Sequence, residues 1–86
     1  MMATFRALVE VRLRPGIADP QGATIERALP ALGFSGVTGV RAGKSFRFAV
    51  EAQDAAEAEA TARALCERLL ANPVIEDSSV TILAGD

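Results

Sequence analysis

The 86-residue sequence contains no histidine, tryptophan or tyrosine, and it has one cysteine, Cys66. Histidine is the commonest general acid–base residue and a frequent metal ligand, so its absence removes the usual means of proton transfer near neutral pH. A lone cysteine cannot form an internal disulfide, which fits a reducing compartment. Because no histidine is present to activate the thiol, we interpret Cys66 as a buried packing residue of a helix.

Long apolar runs and a strong charge bias are also missing. No segment approaches the ~20 apolar residues of a membrane span, and Met1 is followed by strand-like sequence, so we expect no signal peptide, no membrane binding and a cytoplasmic protein. Nine basic and eleven acidic residues give a formal net charge of −2. This mixed surface argues against a dedicated nucleic-acid-binding protein.

The residues that are present predict a single domain, 1–86, that begins with a strand. From residue 4 to residue 14 the sequence alternates strictly, as does a strand that is covered on one side only. Its covered face carries Phe5, Ala7, Val9, Val11 and Leu13.

A helix is predicted next. Asp19 is a suitable N-cap and Pro20 fits the first helical position. An apolar stripe follows at Ile25, Ala28, Leu29 and Leu32. Pro30 predicts a kink or a weakened last turn, and Gly33 a left-handed residue after the helix.

The second half of the chain predicts a hairpin, a helix and a last strand. Residues 36–52 resemble two strands joined by a turn at Gly43 and Lys44. Asp54 and Glu57 form a capping box, and Pro73 follows the end of the helix. The apolar stripe of this helix contains Ala55, Ala58, Ala62, Leu65 and Leu69.

The predicted order β-α-β-β-α-β favours an α+β, ferredoxin-like fold, with both helices on one face of a four-stranded antiparallel sheet. The other face mixes apolar and charged residues and suits association. Two glycines, Gly16 and Gly22, lack the spacing of a phosphate loop, and their expected roles are in turn geometry and helix entry. Five basic residues could form a patch near one end of the sheet, although ordinary solvated charge is the favoured interpretation: Arg12, Arg14, Arg41, Lys44 and Arg47. These residues indicate a non-catalytic binding module.

Several motifs, in order and over nearly the whole chain, make the sequence similar to the PurS family of bacterial and archaeal formylglycinamidine ribonucleotide synthases. They are VEVRLRPG at 9–16, DPQG at 19–22, IERAL at 25–29, LGF at 32–34, VRAGK at 40–44 and LCERLLANPVIE at 65–76.

The resemblance implies a role in purine biosynthesis. The complex converts formylglycinamide ribonucleotide (FGAR), glutamine and ATP to formylglycinamidine ribonucleotide (FGAM), glutamate, ADP and phosphate. A glutaminase subunit, PurQ, releases ammonia, and a synthetase subunit, PurL, uses ATP and Mg²⁺. The resemblance implies that this chain holds no catalytic, cofactor or metal site. The resemblance also implies that this chain forms a homodimer or a dimer of dimers, brings PurQ and PurL together and supports the path of ammonia between them.

Two other functions stay open from the residues alone. One is an ACT-type regulatory dimer that binds a small molecule, which a ligand-dependent melting temperature would reveal. The other is an acylphosphatase-like hydrolase, although Arg14, Pro15 and Gly16 are a sparse phosphate cradle and Asn72 lies on another junction.

The candidate interface lies at two junctions rich in turn residues. Because the first and last strands of the predicted sheet are antiparallel neighbours, the end of the first and the start of the last should meet at one rim. The hairpin turn is not required to lie there. We predict that a catalytic partner docks on this rim, through Arg14, Pro15, Gly16, Asp19, Gln21, Asn72, Ile75 and Glu76. Asn72 would supply polar contacts or cap the second helix. The alternative is that these residues only set turns and caps.

Overall fold

The computed structural model describes residues 2–83. Three antiparallel strands form one sheet: β1 (Ala3–Leu13), β2 (Gly43–Ala52) and β3 (Glu76–Leu83). Their spatial order is β2-β1-β3, so β1 lies in the middle. Two helices connect them in sequence: α1 (Pro20–Ala28) and α2 (Ala55–Leu65). The predicted α+β class with two helices is confirmed.

The predicted fourth strand is wrong, because residues 36–42 form no strand in the described part of the chain. Gly36 and Gly39 have φ angles of 80° and 71°, in the left-handed region, which interrupts an extended run. The backbone N–H groups of Val40 and Ala42 donate to side chains of Glu26 and Asp19 instead of to a neighbouring strand.

The predicted hairpin turn at Gly43 and Lys44 is also wrong. These two residues begin β2 and pair with Arg12 and Val11 of β1. Gly43 suits this position, since a Cβ there would lie 2.7 Å from the carbonyl oxygen of Val11. The strand therefore starts where sequence reasoning had placed its turn.

The core lies between α2 and one face of the sheet. The alternation of β1 is confirmed: Ala7, Val9 and Val11 are buried, whereas Leu8 between them is partly buried and Glu10 is exposed. Apolar residues of β2 and β3 share this face and pack on the same core, namely Phe46, Phe48, Val50, Val80 and Ile82. Small residues of α2 let the helix approach the strands closely.

The end of α2 departs from the predicted apolar stripe. After Leu65 the chain continues as a π-helical turn, Cys66–Leu70, in which the N–H of Ala71 donates to the Cys66 carbonyl. A wider turn rotates the residues that follow it. Cys66 is therefore buried, as predicted, while Leu69, predicted to lie on the stripe, is 74% exposed.

The helix α1 projects away from the sheet. Among the helices and strands, its main contact is with the 3₁₀ turn that follows it, Pro30–Leu32, whereas α2 contacts all three strands. Its cap Asp19 and its Glu26 also accept hydrogen bonds from the loop before β2. The radius of gyration is 16.8 Å, compared with about 12 Å for a compact chain of this length. The prediction that both helices cover one sheet face is therefore wrong for α1. We call α1 and its 3₁₀ turn together the arm.

The local signals around the helices are confirmed. Asp19 caps α1 by accepting from the N–H of Gly22, and Asp54 caps α2 by accepting from Glu57. Glu57 in turn accepts from the N–H of Gln53. Helix α1 ends before Pro30, and Gly33 is left-handed with φ 90°.

Candidate partner-docking rim

The first junction is a tight turn after β1. Pro15 fixes the backbone, and Gly16 adopts φ 87°, which a side chain would strain. The N–H of Ile17 donates to the Arg14 carbonyl at 3.1 Å. Proline followed by a left-handed glycine is typical of a type II turn. The chain therefore reverses here before Asp19 starts α1.

The second junction is closed by Asn72. Its side-chain Oδ1 accepts from the N–H of Val74, and its carbonyl accepts from the N–H groups of Ile75 and Glu76. The Glu76 carboxylate then accepts from the N–H of Asn72 at 2.7 Å. Asn72 thus organises the turn into β3, and the expected alternative, that it caps α2, has no contact to support it.

The two junctions lie together at one end of the sheet. The N–H of Arg14 donates to the Ile75 carbonyl at 2.8 Å, extending the pairing of β1 with β3. The Arg14 guanidinium donates to the Pro73 carbonyl and forms an ion pair with Asp77 at 3.3 Å. We call the eight predicted interface residues, with Lys44, the rim. Their role as an interface stays a prediction.

Sequence reasoning grouped Lys44 with Arg14 in the basic patch but left it out of the docking rim, because a turn at residues 43–44 was not required to lie there. The start of β2 lies beside the end of β1, which brings Lys44 to the rim. Its Nζ lies 3.5 Å from Glu76 Oε2 and 3.5 Å from the Leu70 carbonyl oxygen. A correct start for β2 would have identified it.

The two part-buried carboxylates of the rim are held in their charged forms. The pKa of Asp19 is lowered by hydrogen bonds from the N–H groups of Gly22 and Ala42 and by the charge of Arg41, which outweigh the effect of burial. The pKa of Glu76 is lowered by the N–H of Asn72 and by Lys44, again against burial. Both groups accept stable hydrogen bonds and neither is suited to proton transfer at neutral pH.

The predicted basic patch is largely neutralised. Arg14, Arg41 and Lys44 lie within ion-pair distance of Asp77, Asp19 and Glu76 respectively. Arg47 pairs with Leu8 in the middle of the sheet and therefore lies away from the rim. The rim is a mixed-charge surface.

The rim presents side chains rather than a deep pocket. The exposed residues of the rim are Arg14, Pro15, Gly16, Gln21, Lys44 and Asn72. The other three, Asp19, Ile75 and Glu76, are partly buried. A shallow cavity of about 350 Å³ opens beside them, with walls that include Leu13, Gln21, Lys44 and Glu76.

Cys66 and the acidic side chains are the remaining candidates for chemistry in this chain. The thiol of Cys66 is 2% exposed and is packed against Val9 and Val11. Within residues 2–83, no group of three or more cysteine, aspartate or glutamate side chains is arranged to hold a metal ion. No helix in this part of the chain is long and apolar enough to cross a bilayer.

The fold is that of a small α+β domain in which two turn-rich junctions meet at one end of the sheet. A family model, PurS: phosphoribosylformylglycinamidine (FGAM) synthase, matches residues 6–84. The Mycobacterium leprae FGAM synthase subunit PurS is 47% identical over 76 residues, covering 88% of this chain and 92% of the relative. The chain therefore belongs to the PurS family.

Solved structures agree with this assignment. The PurS subunit of FGAM synthase from Thermotoga maritima superposes with a TM-score of 0.88 at 36% identity, covering 96% of this chain and 95% of that chain. A chain in the structure of PurLQS from the same organism gives 0.87 at 37% identity, covering 94% and 99%. The family match favours the PurS resemblance over the ACT-type and acylphosphatase-like alternatives.

Proposed function

We propose that this chain is the non-catalytic small subunit of FGAM synthase and that it brings the glutaminase PurQ and the synthetase PurL together in purine biosynthesis. The observation that carries this proposal is its likeness to a chain of PurLQS over nearly the full length of both. A buried thiol and a sequence without histidine agree with a role in assembly rather than in chemistry.

In this proposal the chemistry belongs to the partners. PurQ releases ammonia from glutamine, and PurL uses ATP and Mg²⁺ to convert FGAR to FGAM. This chain, as one cytoplasmic domain spanning residues 1–86, supplies docking surfaces, holds the two subunits at a fixed separation and supports transfer of ammonia between them.

Reconstitution tests this function. PurQ and PurL are mixed with and without this chain, and FGAM formation is measured with glutamine or with ammonium as the nitrogen source. We expect glutamine-dependent synthesis to require this chain, because it alone depends on the glutaminase being held at the synthetase. Equal glutamine-dependent rates without this chain would contradict the proposal.

The proposed docking surface for a catalytic partner is the rim. Two rigid junctions from opposite ends of the sequence are fastened there by backbone and Arg14 contacts. A preorganised surface loses little conformational freedom when it binds. The exposed Gln21 and Asn72 side chains add amide groups that suit polar contacts at such an interface.

Gln21→Ala tests docking better than Arg14→Ala does. Arg14 also holds the second junction through Pro73 and Asp77, so its removal disturbs the fold of the rim. Gln21 is exposed at the rim, and Gln53→Ala is a matched control at an exposed glutamine far along the chain. We expect Gln21→Ala to weaken binding of this chain to its catalytic partner in the reconstituted complex. We expect Gln53→Ala to leave that affinity unchanged. Equal affinities would remove Gln21 from the interface.

The proposed self-association is a homodimer in which the arm of one copy covers apolar surface of the other. Ile25, Leu32 and Phe34 are 44%, 70% and 55% exposed. Phe46 and Phe48 are only partly buried, since α2 alone covers a three-stranded sheet. In a two-fold symmetric dimer each arm covers the sheet of the other copy, so the exposed apolar residues of the arm and the partly buried phenylalanines of the sheet are buried in both copies.

A second contact between such dimers is available on the open sheet face. Leu8 and Leu83 lie there among charged side chains, at neighbouring register positions of β1 and β3. A dimer of dimers through this face is the larger assembly that we propose, and sedimentation equilibrium distinguishes it from a dimer.

A further inference from the structure

Three residues of α1 and its cap share one side of the helix. Asp19, Gly22 and Glu26 are spaced i, i+3 and i+7, which places them in one row. This row lies next to the apolar stripe that begins at Ile25. All three residues contact the same short extended segment, residues 40–42, which precedes β2.

The two carboxylates of this row hold the segment through its backbone. Asp19 uses one oxygen to cap Gly22 at 2.9 Å and the other to accept from the N–H of Ala42 at 2.7 Å. Glu26 accepts from the N–H of Val40 at 2.9 Å. Alternate residues of an extended segment direct their N–H groups to the same side, so one helix side can engage both.

The glycine of the row allows the close approach. Gly22 is buried, and a Cβ at this position would lie 2.3 Å from the carbonyl oxygen of Val40, which is backbone and cannot rotate away. Only glycine permits this contact. The helix and the segment are therefore in direct backbone contact between two side-chain hydrogen bonds.

We propose that Asp19, Gly22 and Glu26 form a polar clasp on residues 40–42 and that this clasp fixes the direction in which the arm leaves the rim. The clasp thereby presents the apolar stripe of α1 to a second copy of the chain. This inference rests on the proposed homodimer for the role of the arm, whereas the clasp itself is defined by contacts within one chain.

A polar clasp suits an arm that must keep its apolar face available. The N–H groups of Val40 and Ala42 have no strand partner and need acceptors, which the carboxylates supply. Burial of the apolar stripe against its own chain would also hold the helix, but it would consume the surface that the second copy covers.

Gly22→Ala tests the clasp, because the substitution should loosen the contact with residues 40–42 although alanine is the better helix former. Alanine favours an isolated helix over glycine, yet its Cβ must push residues 40–42 away. We expect amide exchange at Val40 and Ala42 to accelerate about tenfold or more, measured by NMR. We also expect the dimer dissociation constant to rise about tenfold or more, measured by sedimentation equilibrium.

A second pair of variants keeps the test independent of steric damage. Glu26→Ala removes the acceptor for Val40, and we expect both effects again. Glu26→Gln keeps an acceptor oxygen at the same reach and should restore near-native exchange and affinity. Thr24→Ala, on the opposite side of the helix, is the matched control and should change neither quantity.

The outcomes separate the clasp from the homodimer. Unchanged exchange in both Gly22→Ala and Glu26→Ala would overturn the clasp. Faster exchange with an unchanged dissociation constant would overturn its positioning role and leave the homodimer standing. A monomeric wild-type protein would overturn the homodimer and, with it, the purpose of the clasp.

Discussion

The two helices begin alike and end in different surroundings. Each starts at an aspartate cap, Asp19 for α1 and Asp54 for α2, and each has an apolar stripe. In α2 the small residues Ala58 and Ala62 are fully buried, whereas Ile25 on α1 is 44% exposed. The buried stripe is thus made largely of alanine, whereas the stripe of α1 leaves the larger Ile25 side chain exposed. Caps and periodicity specify a helix, while its partner depends on residues outside it.

The largest expected effect comes from a charge on the packed face of α2. Ala62→Asp places an unpaired carboxylate against the sheet, and we expect a loss of about 4 kcal/mol or more in the free energy of unfolding. Urea unfolding followed by circular dichroism measures it. Ala60→Asp, on the exposed side of the same helix, should cost little, and an equally stable Ala62→Asp protein would contradict the packing of α2.

The same charge on the arm should act on assembly instead of folding. At protein concentrations below the dimer dissociation constant, we expect Ile25→Asp to leave the urea midpoint nearly unchanged, because the apolar stripe lies outside the core. We expect the same variant to raise that dissociation constant at least about tenfold. Sedimentation equilibrium measures this constant. Ala23→Asp, on the opposite side of α1, is the control. A folded Ile25→Asp protein that dimerises normally would remove the arm from the interface.

Cys66 gives a smaller effect that sharpens the description of α2. Cys66→Ala should cost about 1 kcal/mol of stability through lost packing, and Cys66→Ser about 2 kcal/mol, since it buries a hydroxyl. Glutamine-dependent FGAM synthesis by the reconstituted complex should be nearly unchanged in both. A large loss of turnover in a folded Cys66→Ser complex would give the thiol a role beyond packing.

The smallest effect concerns the acid stability of the contacts around α1. Hydrogen bonds and nearby charges lower the folded-state pKa values of Asp19 and Glu76 from ordinary values of 3.8 and 4.5. Their stabilisation is therefore complete above those ordinary values and is lost as the pH falls through the lowered folded-state values. Urea midpoints measured from about pH 6 to about pH 2 should decline less steeply in Asp19→Asn. An identical decline in the variant would exclude Asp19 as a source of acid sensitivity.

Much of the fold follows from local sequence signals. The alternation of β1, the caps at Asp19 and Asp54 and the interruption at Pro30 all depend on neighbouring residues, and all are present in the structure. The meeting of the two junctions follows from the antiparallel pairing of β1 with β3. The assignment of Cys66 to the core needed only its place near the stripe and the absence of a partner for its thiol.

The errors arose where distant residues decide the structure. Val40 and Ala42 have strand-like sequence, but the carboxylates of Glu26 and Asp19 take the N–H groups that a strand would use. The periodicity of α1 predicted a buried stripe without specifying whose surface buries it. Lys44 was missed at the rim for the same reason, because its position depends on the register of β2 with β1.

The central position of β1 has a consequence during synthesis. β1 leaves the ribosome before both of its neighbours, and its pairing with β3 joins residues as far apart in sequence as Arg6 and Leu83. Until β3 pairs with it, one edge of β1 is unpaired and its apolar face, with Val9 and Val11, stays partly exposed to solvent. Pairings that distant form slowly, so the sheet closes only after most of the chain has been translated. We expect the nascent chain to depend on chaperones up to that point.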